Sequence, residues 1–449
     1  METIIAILSI VINTIAMMGT VLAVLLQYQQ NQNAKSSEPR QLKFPAALYR
    51  ISKLILASFF VTFVVMGVRP TGILQGFELS AFDHMMRQRP NETRDQRLLA
   101  ITISEQDIQS QDNLEGGSVS ISEPNLIRLI DKLETSYQPA IIGLDLYLDW
   151  VGNDELISIL GQKENIFILC KVSDEDIGIP PPAGVPSGKV GFSDVLLDPD
   201  DVVRRHLLLM TPPLQSACST RYAFSLQIAN SYLKNKDVII SDDDSGNIKI
   251  GDSSLPLINF ESGRFGGYQN IDAQGYQIML NYRSYYNQNE FIERLTLTDF
   301  LESEVNMNLE DRIVLVGVTA DSAGDFWDTP YNSGQADNRM PGVILQAHLI
   351  SQLLSFGLDD RPLISALPDW SSSSMVWSTC LGWGLLFGFL GDKILRGLLG
   401  GCLFGSLYWV CSYTLTQGVW LPFVPSLIGG ILTGVGVVAY RAYNHNSTK

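Results

Sequence analysis

Long stretches without charge constrain this chain more than any other feature. Thr3 to Gln27 is uncharged and rich in Ile, Leu, Val and Met, and Leu54 to Val68 is a shorter apolar run bracketed by Arg50, Lys53 and Arg69. After Asp369 come three more: Met375 to Gly391, Gly397 to Thr416 and Leu421 to Tyr440. A transmembrane helix needs about 20 apolar residues. The shorter run reaches that length if Tyr49 and the flanking bases snorkel. About five helical spans are therefore expected. Glu2 is the only early charge, so residues 1–27 read as a retained span rather than a cleaved secretory signal, which would carry a basic leader.

Charge gives the orientation. The chain carries a formal −16, yet Leu54 to Gly391 holds 44 acids against 22 Lys and Arg, a net −22, while everything outside it carries +6. The linker of residues 28–53 has five bases against the single acid Glu38, so the positive-inside rule makes it cytoplasmic. The loop with Lys393 and Arg396 and the tail of residues 441–449 fall on the same side, whereas Gln417 to Trp420 is uncharged and carries an interfacial-type Trp420. Residues 54–68 then form the second span, residues 69–373 an extracytoplasmic domain, and residues 374–440 a three-helix transmembrane region. Gly397, Gly401 and Gly405, like Gly430 and Gly434, recur every fourth residue, a spacing that lets helices approach closely in lipid, within one chain or in a homodimer. The acidity excludes nucleic acid as a partner, because that would need basic stripes.

Within residues 69–373, strand and helix patterns alternate. Leu98 to Ile103, Ala140 to Leu146, Asn165 to Val172 and Arg312 to Val318 read as strands, and Glu123 to Glu134, Asp154 to Leu160, Tyr222 to Leu233 and Val343 to Leu354 as helices. That order predicts an α/β layered domain, with Asp237 to Tyr282 as a β-rich insertion full of turn signals. Of the five cysteines, Cys380, Cys402 and Cys411 fall in the apolar helices. Cys170, in a buried strand, is expected as a core thiol, the alternative being a disulfide with Cys218.

Several separated segments carry a resemblance. Phe77 to Pro90 presents Glu78, Asp83, Arg87 and Arg89 directly after a span. It is followed by Ala100 to Ile108, Ile142 to Leu146, Gly191-Phe-Ser-Asp, and Asp198-Pro-Asp-Asp-Val-Val-Arg-Arg. Ile313 to Ala320, Asp325 to Tyr331 and Met340 to His348 complete the set. Over about Phe77 to Gly357 the chain resembles the type-two branch of the CHASE domains, extracellular sensory modules of bacterial receptors. In that family a Gly commonly stands where this chain has Asp201. The resemblance implies a sensory role at a bacterial plasma membrane and three membrane helices after the domain. The kinase or cyclase that usually follows is not found in this sequence.

The site candidates are carboxylates near strand ends, where open α/β sheets place ligands. Asp145, Asp321, Asp325, Asp328 and His348 could receive a cation or a basic ligand. The plainer alternative is that the carboxylates cap helices, close turns or pair with Arg204, Arg205 and Arg312. Arg204 and Arg205 could clamp an anion, although one of two adjacent strand residues usually points to solvent. His84, His206, His348 and His445 lack zinc-ligand spacing. The Glu115-Gly-Gly-Ser loop lacks the lysine of a phosphate cradle, and Asp242-Asp-Asp-Ser-Gly lacks the downstream Glu of a calcium loop. No metal, cofactor or catalytic motif is expected. The chain is read as a receptor-like subunit that binds an extracytoplasmic cue, sits in the lipid bilayer and signals through a separate protein partner. The alternatives are an assembly subunit of a membrane complex and, last, an extracytoplasmic hydrolase.

Overall fold

The structure is a computed structural model. It describes residues 44–111, 120–173, 177–242, 248–258, 263–304, 306–332 and 338–447. The expected first span, most of the basic linker, the Glu115 loop and the Asp243 to Gly246 turn lie outside these residues. The chain divides into two compact units. One comprises residues to Met85, Gly263–Ile271 and Ser365 onward, and the other Met86–Ser262 and Asp272–Ile364.

The second unit is an α/β layer. Its strands are β1 (Leu98–Ile103), β2 (Ile141–Asp145), β3 (Ile166–Cys170), β4 (Val190–Phe192), β5 (Arg205–Leu209), β6 (Ile240–Asp242), β7 (Ile248–Ile250), β8 (Ser253–Ser254), β9 (Tyr276–Met279), β10 (Glu293–Thr296) and β11 (Ile313–Val318). Six of them form one sheet in the order β10-β1-β11-β2-β3-β4, and every pairing in it is parallel. Parallel sheets are covered on both faces, so their strands are apolar throughout rather than alternating. Leu98 to Ile103 is buried at every position, as is Ile166 to Cys170. The helices Glu123–Lys132, Asp154–Gln162, Phe224–Lys234 and Gly342–Leu358 follow the expected pattern closely. The first of them continues as a π-helical turn over Leu133–Tyr137.

The expected β-rich insertion is split. Strands β6 to β8 form a small antiparallel sheet, β9 pairs with β5, and Gly263–Ile271 belongs to the other unit. Cys170 is not a free core thiol. It is bonded to Cys218, with Cα atoms 5.5 Å apart, within the usual range for a disulfide. The bond ties the carboxyl end of β3 to the segment that leads into Phe224–Lys234.

A buried polar layer braces the helix Gly342–Leu358 against the chain entering β1. Asp95 accepts from Arg97 (2.8 Å) and from Ser351 (2.6 Å). Glu92 accepts two hydrogen bonds from Arg361, at 2.7 and 2.8 Å. Burial works to raise the Glu92 carboxyl, but the Arg361 guanidinium and the Ser284 amide carry it down to about 2.

In the first unit, the helix Phe44–Val68 begins ten residues before the expected span, so the end of the basic linker is helical. By length and composition, three helices among the described residues can cross a membrane: Tyr49–Thr71, Lys393–Thr416 and Phe423–Asn444. The fourth long helix, Asp369–Phe389, carries Ser371 to Ser374 and is not among them. Its Val376 and Cys380 are fully buried in a cluster with Val65, which explains how it tolerates more polar residues than a lipid-facing helix. Gly430 approaches the Trp383 indole so closely that a Cβ there would lie 2.8 Å from the ring. The expectation for that glycine therefore holds. A Cβ at Gly397, Gly401 or Gly405 would meet nothing within 4 Å, so that stripe packs on no other helix among the described residues. Trp420 is no free interfacial anchor. It is 4% exposed, sits 4.8 Å from the Phe82 ring, and its backbone pairs with Ala366. Beside it, Arg69 and Glu78 form a buried bidentate ion pair.

The lowered Glu92 carboxyl adds stability that is present above its unfolded value near 4.5 and is lost as pH falls through about 2. Glu92→Gln should cost about 1–3 kcal/mol at pH 7. In denaturant melts at several pH values, the gap between variant and parent should close below pH 4.

Candidate functional site

The carboxyl ends of β11 and β2 lie side by side, with Gly317 opposite Asp145 in register. The helix Gly342–Leu358 crosses this edge. A Cβ on Gly317 would lie 2.6 Å from the Val343 Cβ, and one on Gly342 would lie 1.9 Å from Asp325 Oδ2. Only glycine at both positions lets the helix start here with a carboxylate against its first turn. The Gly342 amide donates to the Asp325 carbonyl at 3.0 Å, which sets the loop's path.

Asp145 and Asp325 are thereby brought together. Asp145 Oδ2 is sealed from solvent without a hydrogen-bond partner. Asp325 Oδ1 accepts from the Trp327 indole at 2.9 Å. Burial, then the facing Asp325, hold the Asp145 carboxyl well above the usual carboxylate range. Burial also raises Asp325, against the Trp327 hydrogen bond and the nearby Lys171 cation. Two carboxyls in such a site cannot both ionise freely, so the protonated form of one of them is favoured.

Tyr147, two residues past Asp145, shares a hydrogen bond of 3.0 Å with Ser193. Burial and then, beyond that hydrogen bond, the charges of Asp145, Asp194 and Asp325 push its phenol up to about 12. It is a neutral hydroxyl at any physiological pH. Sequence reading missed Tyr147, Lys171 and Gly342. A usable signal was their position, since Tyr147 and Lys171 lie just past the ends of β2 and β3 and Gly342 opens a helix.

The other candidates are placed elsewhere. Asp321 is exposed in a 3-10 turn, and the Asp328 backbone bridges Val202, its carbonyl accepting from the Val203 amide. His348 is fully buried and stacked on Phe291 with ring centroids 3.6 Å apart. Burial lowers its imidazole to about 3, so it is a neutral core group. Arg204 and Arg205 are both buried, and neither points to solvent as one of an adjacent pair was expected to. Asp198 lies between them, 2.8 Å from Arg204 and 2.9 Å from Arg205, and Asp200 also holds Arg204. The turn that makes this possible places Asp201 at φ 60, the left-handed region that favours glycine. Arg312 pairs with Glu293. The arginines are thus neutralised by acids other than Asp145, Asp325 and Asp328. No group of three or more His, Cys, Asp or Glu poised to hold a metal occurs among the described residues.

These elements lie within a known family. A family model described as the CHASE2 domain matches residues 60–389. The chain belongs to the CHASE2 domain family. CHASE2 is a bacterial extracellular sensory domain rather than a catalytic family, which agrees with a sensory role. The match extends through the helix Asp369–Phe389, so in this family member the sensory domain and a helix of the bundle fall within one family unit. No curated protein and no solved structure matches the chain.

Because the Asp145 carboxyl is raised, the folded state is favoured by its protonation, and that contribution is lost as pH rises above about 4. Asp145→Asn should therefore melt higher than the parent at pH 8, with the gain shrinking toward pH 4. A lower melting temperature at pH 8 would mean that Asp145 is an ionised, paired group.

Proposed function

We propose that this CHASE2 protein is an extracytoplasmic sensor whose α/β unit receives a small cationic group at the Asp145–Asp325 pair. The helix bundle then passes the resulting bias to a separate protein partner. The observation that carries the ligand class is the Asp145 Oδ2 atom, buried without a partner beside a second carboxyl. Leaving such an acceptor unmade is costly. A cation entering between the two carboxyls would take the place of the proton that burial favours and offset the repulsion. An ammonium group offers three donors, which two carboxylates and the Tyr147 hydroxyl can accept. A calcium ion would ask for six to eight oxygens.

Two observations support the orientation. The charge split leaves the α/β unit acidic and the ends of the membrane helices basic, as the positive-inside rule requires for an outer domain. The Cys170–Cys218 disulfide also belongs to an oxidising compartment. A ligand biases such a protein only through different affinity for two states, so a helix bundle with two arrangements is part of the proposal.

The test of the ligand class is calorimetry of the full-length protein in detergent with a series of primary amines and diamines. Binding should tighten from pH 6 to pH 8 with release of a proton, and Asp145→Asn should abolish it. Failure of every amine, with the protein folded, would sink the cation site. Orientation is tested separately in intact cells. Tyr286 is 88% exposed, and Tyr286→Cys should react with a membrane-impermeant maleimide from outside, whereas Lys393→Cys should react only after permeabilisation.

A further inference from the structure

The first unit holds a groove of about 1140 Å³ between the helices Phe44–Val68, Asp369–Phe389, Lys393–Thr416 and Phe423–Ser447. That exceeds the roughly 300–1,000 Å³ of ordinary small-molecule pockets. At one end it is lined by five cations, Arg50, Lys53, Lys393, Arg396 and Arg441, and among the described residues by no Asp or Glu. The rest of its wall is largely apolar, with Leu54, Val61 and Val437 along it.

Three of the cations, Lys53, Arg396 and Arg441, are held in place by neutral groups. Lys53 donates to the Tyr440 hydroxyl at 3.1 Å and lies 4.4 Å from the centroid of the Tyr49 ring. Arg441 donates to the Phe387 and Leu390 carbonyls at 3.0 and 2.7 Å, covering the last turn of Asp369–Phe389. Arg396 donates to the Gly391 carbonyl at 3.1 Å. Carbonyls and phenols orient these side chains without cancelling their charge. The neighbouring acid, Asp392, caps the next helix through the Leu395 amide at 2.8 Å. Among the described residues, the five like charges around one opening therefore face no counter-charge from the groove lining.

We propose that this groove binds an anionic phospholipid of the leaflet it faces, the phosphate seated among the five cations and the acyl chains along the apolar wall. Charge complementarity selects the anion, since basic pockets at membrane-helix ends suit acidic headgroups. The apolar wall selects the diacyl form, because a soluble phosphate would leave that wall in water. Tyr49 and Tyr440 lie beside the Lys53 cation, the aromatic–cation pairing favoured at a headgroup level. The site goes beyond the sensory reading of the α/β unit and is independent of it. It gives the helix bundle a ligand of its own, so the lipid composition of the membrane would set the arrangement from which any outer cue is read.

The probe is phosphatidylglycerol against phosphatidylcholine, added to the detergent-solubilised full-length protein and read by native mass spectrometry and melting temperature. The anionic lipid should be retained and raise the melting temperature, with at least about tenfold preference over the zwitterionic one, and the double variant Lys393→Gln, Arg396→Gln should lose most of that preference. Gly436 lines the groove, and a Cβ there meets nothing within 4 Å. Gly436→Phe should therefore fill the space without moving a helix and displace the bound lipid. Equal retention of the two lipids by the parent protein would overturn the proposal without requiring any variant to fold. So would a melting shift from glycerol phosphate as large as that from the diacyl lipid, or undiminished lipid binding by a folded Gly436→Phe.

Discussion

The close approach of the helix Gly342–Leu358 to the ends of β11 and β2 is the contact on which the candidate site depends. Interiors pack to crystal-like density, and here a helix start, two strand ends and a loop meet in one place. Gly317 removes the side chain that would keep Val343 away, and Gly342 removes the one that would displace Asp325. With both present, Asp325 is driven against Asp145 at the edge of a sheet that is buried on both faces. The raised carboxyls follow from that geometry, since burial in low dielectric and a like charge both disfavour ionisation.

The same unit separates its charged groups by role. Glu92 and Arg361, Asp95 and Arg97, and Asp198 between Arg204 and Arg205 are opposed pairs in which each acid meets its cation directly. Such groups brace structure, and removing one partner leaves an uncompensated charge. Asp145 differs because the group nearest its charge is another acid and one of its oxygens has no donor. Perturbed acids without a structural partner concentrate at functional sites. His206 and His348 show the opposite case. Their imidazoles are lowered to about 3 by burial, His206 hydrogen-bonded to Ser225 and Gln352 and His348 stacked on Phe291 with its Nδ1 unpaired among the described residues, so both are neutral core groups.

The membrane helices follow a different economy. In lipid there is no hydrophobic gain between helices, so close packing relies on small residues. Gly429 and Gly430 lie against Cys380 and Trp383, and Gly384 against Thr433. The helix Asp369–Phe389, which is not among those apolar enough to cross a membrane, is covered at Val376 and Cys380 by its neighbours. Lys53, Arg396 and Arg441 at the bundle's end are oriented by backbone carbonyls and phenols rather than by acids, which leaves a charged mouth on an apolar groove.

What the sequence determined by itself was whatever depends on local pattern. The strands Leu98–Ile103 and Ile313–Val318, the helix Gly342–Leu358 and the three long apolar helices Tyr49–Thr71, Lys393–Thr416 and Phe423–Asn444 were legible because apolar period and run length reflect burial or lipid directly. The family was legible because its motifs are short and separated. What only the tertiary structure decided was which side chains meet. Asp145 and Asp325 lie 180 positions apart and gave no spacing signal. Tyr147 and Lys171 looked like ordinary strand-end residues, and His348 looked like a ligand until its ring was found stacked on Phe291. Cys170 read as a core thiol because its strand is apolar, yet a segment 48 residues on places Cys218 against it. Local pattern reports whether a residue is buried. Its partners depend on how strands order themselves in the sheet and where a helix crosses it, and no short window of residues encodes that.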